Sequence, residues 1–229
     1  MKKTIVIIML MVSGKAMMAQ TYIQGGLNLA NISTSNDGSS EKNNLLTTFN
    51  VGLMGRFGIA DYFAVETGVL LTGRGSKAET YFNNGNDYVK TKFNPVYVEV
   101  PLNLVVKIPL MAKKSTLFFN AGPYIAIGVA GQSKIDSKIG PLTSSSSSDI
   151  KFSNDDPFTS QQEDAAYDKL KRFDYGVNVG GGFQFQHVII KANYGYGLAK
   201  INSTQSNNTA NDKNKYRTIG ISVGIPIGR

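Results

Sequence analysis

Asn94–Pro109 reads NPVYVEVPLNLVVKIP, and its odd and even positions carry two different chemistries. Val96, Val98, Val100, Leu102, Leu104 and Val106 form one unbroken apolar row, while Tyr97, Glu99, Pro101, Asn103, Val105 and Lys107 form a mostly polar one. A period of two over this length is a β-strand with one apolar and one wet face. Ordinary strands average about five to six residues, so this one is long. Two charges sit on a row whose opposite face is wholly aliphatic. A membrane-crossing strand of about 9–11 residues has this pattern, apolar towards lipid and polar towards a lumen.

Outward from that stretch the same alternation recurs. Thr21–Ser33 sets Ile23, Leu27 and Leu29 against Gln24, Gly26 and Asn28. Thr47–Ile59 and Phe63–Gly75 follow, joined only by Ala60-Asp61-Tyr62, as a tight hairpin. After the opening strand come Thr116–Gly131, Phe173–Phe185, Val188–Leu198 and Tyr216–Ile227, with Gln186-His187 as a two-residue turn. The segments between, Thr34–Leu46, Ser76–Asn94, Gln132–Arg172 and Ala199–Lys215, are rich in Ser, Asn, Asp and Gly and read as loops. The third contains the run Ser144–Ser148 and a capping-box pattern, Ser160 to Glu163, with Asp168 and Arg172 at i,i+4 spacing. These predict a short helix over Gln161–Lys171 within an otherwise mobile loop.

The expected fold is therefore all-β: an eight-stranded antiparallel up-and-down transmembrane β-barrel. Long and short connections alternate along the chain, which in outer-membrane barrels corresponds to long external loops and short periplasmic turns. A barrel of eight strands has an interior narrow enough for side chains to fill, and the many glycines on the inward row suit that space.

The ends and the composition agree with export. Lys2 and Lys3, the apolar Thr4–Val12 and the small residues Ser13–Ala19 predict a signal peptide over 1–19, with cleavage before Gln20 and a barrel domain over 20–229. Loss of Lys2, Lys3 and Lys15 would lower the formal net charge from +8 to about +5. With 0 Cys no disulfide or lipid-anchored cysteine is possible. No run of basic residues interleaved with aromatics is visible, so nucleic acid is not an expected partner.

Several motifs together resemble the PorT-like small outer-membrane β-barrel proteins of Gram-negative bacteria. They are Gly25-Gly26-Leu27-Asn28-Leu29-Ala30-Asn31, Glu66-Thr67-Gly68-Val69-Leu70, Tyr97-Val98-Glu99-Val100-Pro101-Leu102, Ala121-Gly122-Pro123-Tyr124 and Gly180-Gly181-Gly182-Phe183. The resemblance spans nearly the whole mature chain. It implies an eight-stranded barrel reached by export through the periplasm but no single activity, an accessory role in protein secretion or envelope structure being one role found among such proteins. The last strand also resembles the signal read by the barrel-assembly machinery, through Thr218, Gly220, Val223 and Ile225, although it lacks a terminal aromatic. Outer-membrane lipid and lipopolysaccharide are the expected surroundings.

Candidate chemistry is sparse. The single histidine, His187, lies in a turn at the end opposite the long loops, where no serine triad or aspartate–histidine protease would be built. Gly180-Gly181-Gly182 is mid-strand, with no following helix and no lysine at P-loop spacing. Asn154-Asp155-Asp156 lacks calcium-loop spacing. No catalytic, cofactor-binding or metal residue is expected. The residues of interest are the inward charges Arg56, Glu66, Arg74, Glu99, Lys107 and Lys191, expected to form ion pairs that plug the lumen, the alternative being a proton- or solute-linked pathway. Arg56 and Glu66, equidistant from Asp61, should face each other. The expected function is a non-enzymatic outer-membrane barrel with interacting external loops. The alternatives are an outer-membrane enzyme acting on lipid or peptide, and a secreted soluble ligand-binding barrel.

Overall fold

A computed structural model describes residues 19–33, 45–110, 115–153, 169–201 and 214–227. Its strands are β1 (Ala19–Ser33), β2 (Leu46–Gly58), β3 (Phe63–Gly73), β4 (Ser76–Phe82), β5 (Asp87–Pro109) and β6 (Thr116–Ile139). They continue with β7 (Leu142–Asp149), β8 (Lys151–Ser153), β9 (Lys169–Lys171), β10 (Phe173–Gln184), β11 (Ile189–Gly197) and β12 (Lys215–Pro226). Antiparallel pairing runs β1–β2–β3–β5–β6–β10–β11–β12 and returns from β12 to β1. The sheet is thus closed on itself and leaves no edge in the ring.

Alternation places the side chains as the sequence implied. On β1, Gln24 and Asn28 are buried while Ile23 and Leu27 are exposed. On β5, Tyr97, Glu99, Pro101 and Asn103 are buried between exposed Val100, Leu102 and Leu104. The same inversion holds around the ring, with Ile125 (64% exposed), Val179, Ile190 and Ile221 outward. Polar residues inside and aliphatics outside reverse the order of a water-soluble domain, and an apolar surface on this scale marks contact with another apolar phase.

The outer strands correct the sequence reading. Ser76–Asn94, expected as a loop, forms β4 and the first part of β5, paired from Ser76↔Phe93 to Phe82↔Asp87. They meet at a one-turn 3-10 segment over Asn83–Gly85. Gln132–Arg172 was likewise expected as a loop, yet β6 runs on to Ile139 and turns back as β7, with Ser144–Ser148 inside a regular strand. Beyond the ring, β4, β5, β6 and β7 therefore make a four-stranded antiparallel platform, so the described residues form twelve strands, eight of them in the ring. Polar side chains misled the reading because a strand exposed on both faces has no hydrophobic alternation to betray it. Of the expected helix Gln161–Lys171, residues 161–168 lie outside the described residues, and 169–171 are β9, paired in parallel with β8.

β8 and β9 lie against the interior at the platform end. Leu170 packs with Ile32, Tyr97, Tyr124, Ile201 and Tyr216, which come from four ring strands and the start of the β11–β12 connection. The Gly128 amide donates to the Arg172 carbonyl, and the Tyr97 hydroxyl to the Lys171 carbonyl.

Where β3 passes into β4, Gly75 takes φ +120° and a Cβ there would collide with the Phe93 carbonyl. Gly85, in the platform tip, has φ +89° but open space around it. Replacement of Gly75 by Ala should lower stability by roughly 1–3 kcal/mol or more, read as a drop in the urea midpoint of detergent-folded protein. Gly85→Ala meets only the backbone term and should cost about 1 kcal/mol. Equal effects at the two sites would show that the close approach to β5 is no constraint.

Candidate functional site

Two sets of charges occupy the interior, one towards each end. In the set nearer the short turns, Arg56 on β2 stands directly opposite Glu66 on β3. Its Nε and Nη2 both donate to Glu66 Oε2, at 3.1 and 2.6 Å. Lys191 of β11 donates to the other carboxylate oxygen, and the Tyr22 hydroxyl donates to Oε2 at 2.9 Å. Arg56 Nη1 reaches Gln184 Oε1 at 2.7 Å, and the guanidinium lies 4.2 Å from the centre of the Phe118 ring. Glu66 is 0% exposed. Every charge in this set thus has a partner, as burial requires.

The second set surrounds Arg74, which follows the end of β3. Its Nη2 donates to Glu99 Oε2 at 2.7 Å and its Nη1 to Asp174 of β10. The Tyr124 hydroxyl donates to Asp174 at 2.9 Å, and Asn178 Nδ2 to Glu99 Oε1 at 3.0 Å. The rings of Tyr97, Tyr124 and Tyr216 stand around the guanidinium at 5.1, 4.7 and 5.6 Å, within cation–π range.

Between the two sets lies a belt of neutral polar side chains. Gln24 Nε2 donates to Asn50 Oδ1, Asn50 Nδ2 to Asn28 Oδ1, and Asn28 Nδ2 to Thr72 Oγ1, at 2.7 to 3.1 Å. A cavity of about 60 Å³ lies here, reaching Glu99 on one side and Lys191 on the other. That is room for roughly two waters.

Five of the six expected inward charges stand in these sets. Lys107 does not: it shares the inward row of β5 but lies half-exposed at the short-turn rim, outside the interior ion pairs of the described residues. Reading parity alone could not show that the interior ends before it. Asp174 was missed, although it stands on the polar row of its own strand. The tyrosines were missed because a buried hydroxyl looks like any aromatic in a pattern of apolar and polar letters. His187 is exposed in its turn at the same end as Ala60–Tyr62. Of the last-strand signal, Val223 and Ile225 face outward, Gly220 faces inward, and Thr218 is half-buried. Asn154-Asp155-Asp156 lies outside the described residues.

The register also builds a basic surface that no linear run disclosed. Lys77, Lys92 and Lys134 are direct neighbours across β4, β5 and β6. Lys90 lies 4.6 Å from the ring centre of Tyr88. The Tyr81 hydroxyl on Glu79 and the Ser145 hydroxyl on Asp136 hold both carboxyls below the usual range.

A family model described as "Outer membrane protein beta-barrel domain" matches residues 18–203. Among solved structures, the chain is similar to Ail, the attachment invasion locus protein of Yersinia pestis, at 19% identity and a TM-score of 0.40, over 91% of this chain and 99% of that one. Neisserial surface protein A is similar at 11% identity and a TM-score of 0.41, over 91% and 99%. OprG from Pseudomonas aeruginosa gives 11% and 0.34, over 93% and 98%. No curated protein sequence matches the chain.

The Glu66 set makes a sharp stability test because one carboxylate serves two cations. Glu66→Gln should cost roughly 3–5 kcal/mol, since it strands both Arg56 and Lys191. Arg56→Met should cost less, because Lys191 still neutralises Glu66. The two changes combined should fall short of their sum by about 1–3 kcal/mol, measured by urea unfolding and by heat-modifiable gel mobility. Additive losses would mean that the side chains do not interact.

Proposed function

The chain belongs to the family of outer membrane proteins with a beta-barrel domain, and on that premise we propose that it is a closed, non-enzymatic barrel presenting a rigid platform outside the cell. The observation that carries this reading is the interior itself. Two sets of paired charges and the β8–β9 segment fill the cross-section, leaving a cavity of about 60 Å³. A hydrated ion would have to break a buried ion pair to pass, so the lumen is plugged, and whatever the protein recognises meets its exterior.

In this reading the short connections at Ala60–Tyr62 and Gln186-His187 face the periplasm and the platform faces outward. The side chains gathered in the interior are anchors of shape, not reacting groups. An accessory role in secretion or envelope organisation, served by the platform and its loops, fits a barrel whose strand motifs resemble those of PorT-like proteins. The alternating outward row of β12, with Val223 and Ile225, suits recognition by the barrel-assembly machinery before β12 closes on β1.

Because the chain has 0 Cys, a single introduced cysteine reports topology cleanly. On intact cells, a membrane-impermeant maleimide should label Ser146→Cys and leave Asp61→Cys untouched until the envelope is opened. The reverse pattern would invert the orientation. In planar bilayers the purified protein should pass no steady current, and porin-sized conductance steps would overturn the plugged lumen.

A further inference from the structure

The lysine row on the platform is laid out against ordinary electrostatic sense. Lys77, Lys92 and Lys134 lie side by side on three adjacent strands, about 4.8 Å apart. Like charges directly opposite one another destabilise a sheet. One row further out stand Glu79, Lys90 and Asp136, and beyond them Tyr81, Tyr88 and Lys138. Glu79 and Asp136 are within reach of Lys77 and Lys134, at 3.4 and 3.2 Å. The third carboxylate assigned to this face by the register, Asp149, lies opposite Gln132. Five lysines thus share a face with three carboxylates, and Lys92, at the centre of the row, is exposed.

This face continues the outward wall of the barrel. On β5 the inward row runs through Tyr97 and buried Pro95 to Phe93, which packs against the Tyr97–Tyr216 cluster, so Lys92 points the other way. On β6 simple alternation would turn Lys134 inward. A bulge prevents this: Val96 pairs with Ala130 and Tyr97 with Gly128, leaving Val129 unpaired. The extra residue exchanges the two rows of β6, and Lys134 joins Lys92 on the outer side. From Val96, the last outward aliphatic of β5, to Lys92 is four residues, ~13 Å along the strand and ~10 Å along the membrane normal at ordinary barrel tilt. A lysine side chain reaching down from that height ends among lipid headgroups.

We propose that this row binds the phosphate groups of phosphorylated glycolipid headgroups in the leaflet surrounding the platform. Phosphates set between Lys77, Lys92 and Lys134 relieve their mutual repulsion, and their acyl chains lie along the aliphatic wall directly below. The inference rests on the proposed orientation only for which leaflet supplies the lipid.

The test uses full-length protein in zwitterionic nanodiscs doped with bis-phosphorylated lipid A or with the same lipid after enzymatic dephosphorylation, and bound lipid counted by native mass spectrometry. The wild type should retain the phosphorylated form preferentially. Lys77→Ser/Lys92→Ser/Lys134→Ser should weaken that preference roughly tenfold or more, with heat-modifiable mobility unchanged. The triple arginine variant should keep it, as should Lys107→Ser at the opposite rim. No preference in the wild type overturns the proposal even if the serine variant fails to fold, and so does an undiminished preference in a folded serine variant. An inverted cysteine-labelling pattern with lysine-dependent lipid retention would move the site to the other leaflet without removing it.

Discussion

Hydrocarbon offers no partner to a backbone N–H or C=O, so a sheet that lives in it has to be closed. Here closure depends on twelve residue pairs between β1 and β12, from Tyr22↔Pro226 to Ser33↔Lys215. The first and last described strands of the chain are thereby neighbours. Every other feature of the ring follows from that joint. Once closed, each strand has one face to the apolar surroundings and one to a narrow interior, and the alternation of side chains becomes a requirement on every strand at once.

Interior width then decides the chemistry. Gly52, Gly68 and Gly122 stand where a Cβ would press into the backbone of the neighbouring strand, and at Gly176 and Gly224 it would meet the rings of Tyr124 and Tyr22. The charge arrangement is not symmetric. The set near the short turns joins one carboxylate to two cations, and the Arg74 set joins one guanidinium to two carboxylates. Each set carries a formal unit charge opposite to the other, so the six groups balance only across the polar belt that separates them. The balance among these six groups is a property of the whole barrel, not of any one hairpin.

At the other end the constraint is relaxed. β5 and β6 have 23 and 24 residues, more than twice what a crossing needs, and above the ring they are free of the demand for an apolar outer face. Serine and lysine can then occupy regular strands. β6 is the hinge of this change, because its bulge at Val129 exchanges its two rows where the platform begins.

Sequence alone determined the period-two pattern, the ring strands, the tight turns and the facing of Arg56 and Glu66, because each depends on local spacing about a turn or on the contrast between two faces. Tertiary structure decided what depends on distant partners. Lys191 lies 125 residues from the Glu66 carboxylate it completes, and Asp174 lies 100 from Arg74. No local rule relates such positions. The platform also escaped the sequence reading, since strands wetted on both faces carry no apolar stripe. The lysine row arises only from register: Lys77, Lys92 and Lys134 are scattered along the chain and become neighbours because backbone hydrogen bonds, not side chains, set three strands in line.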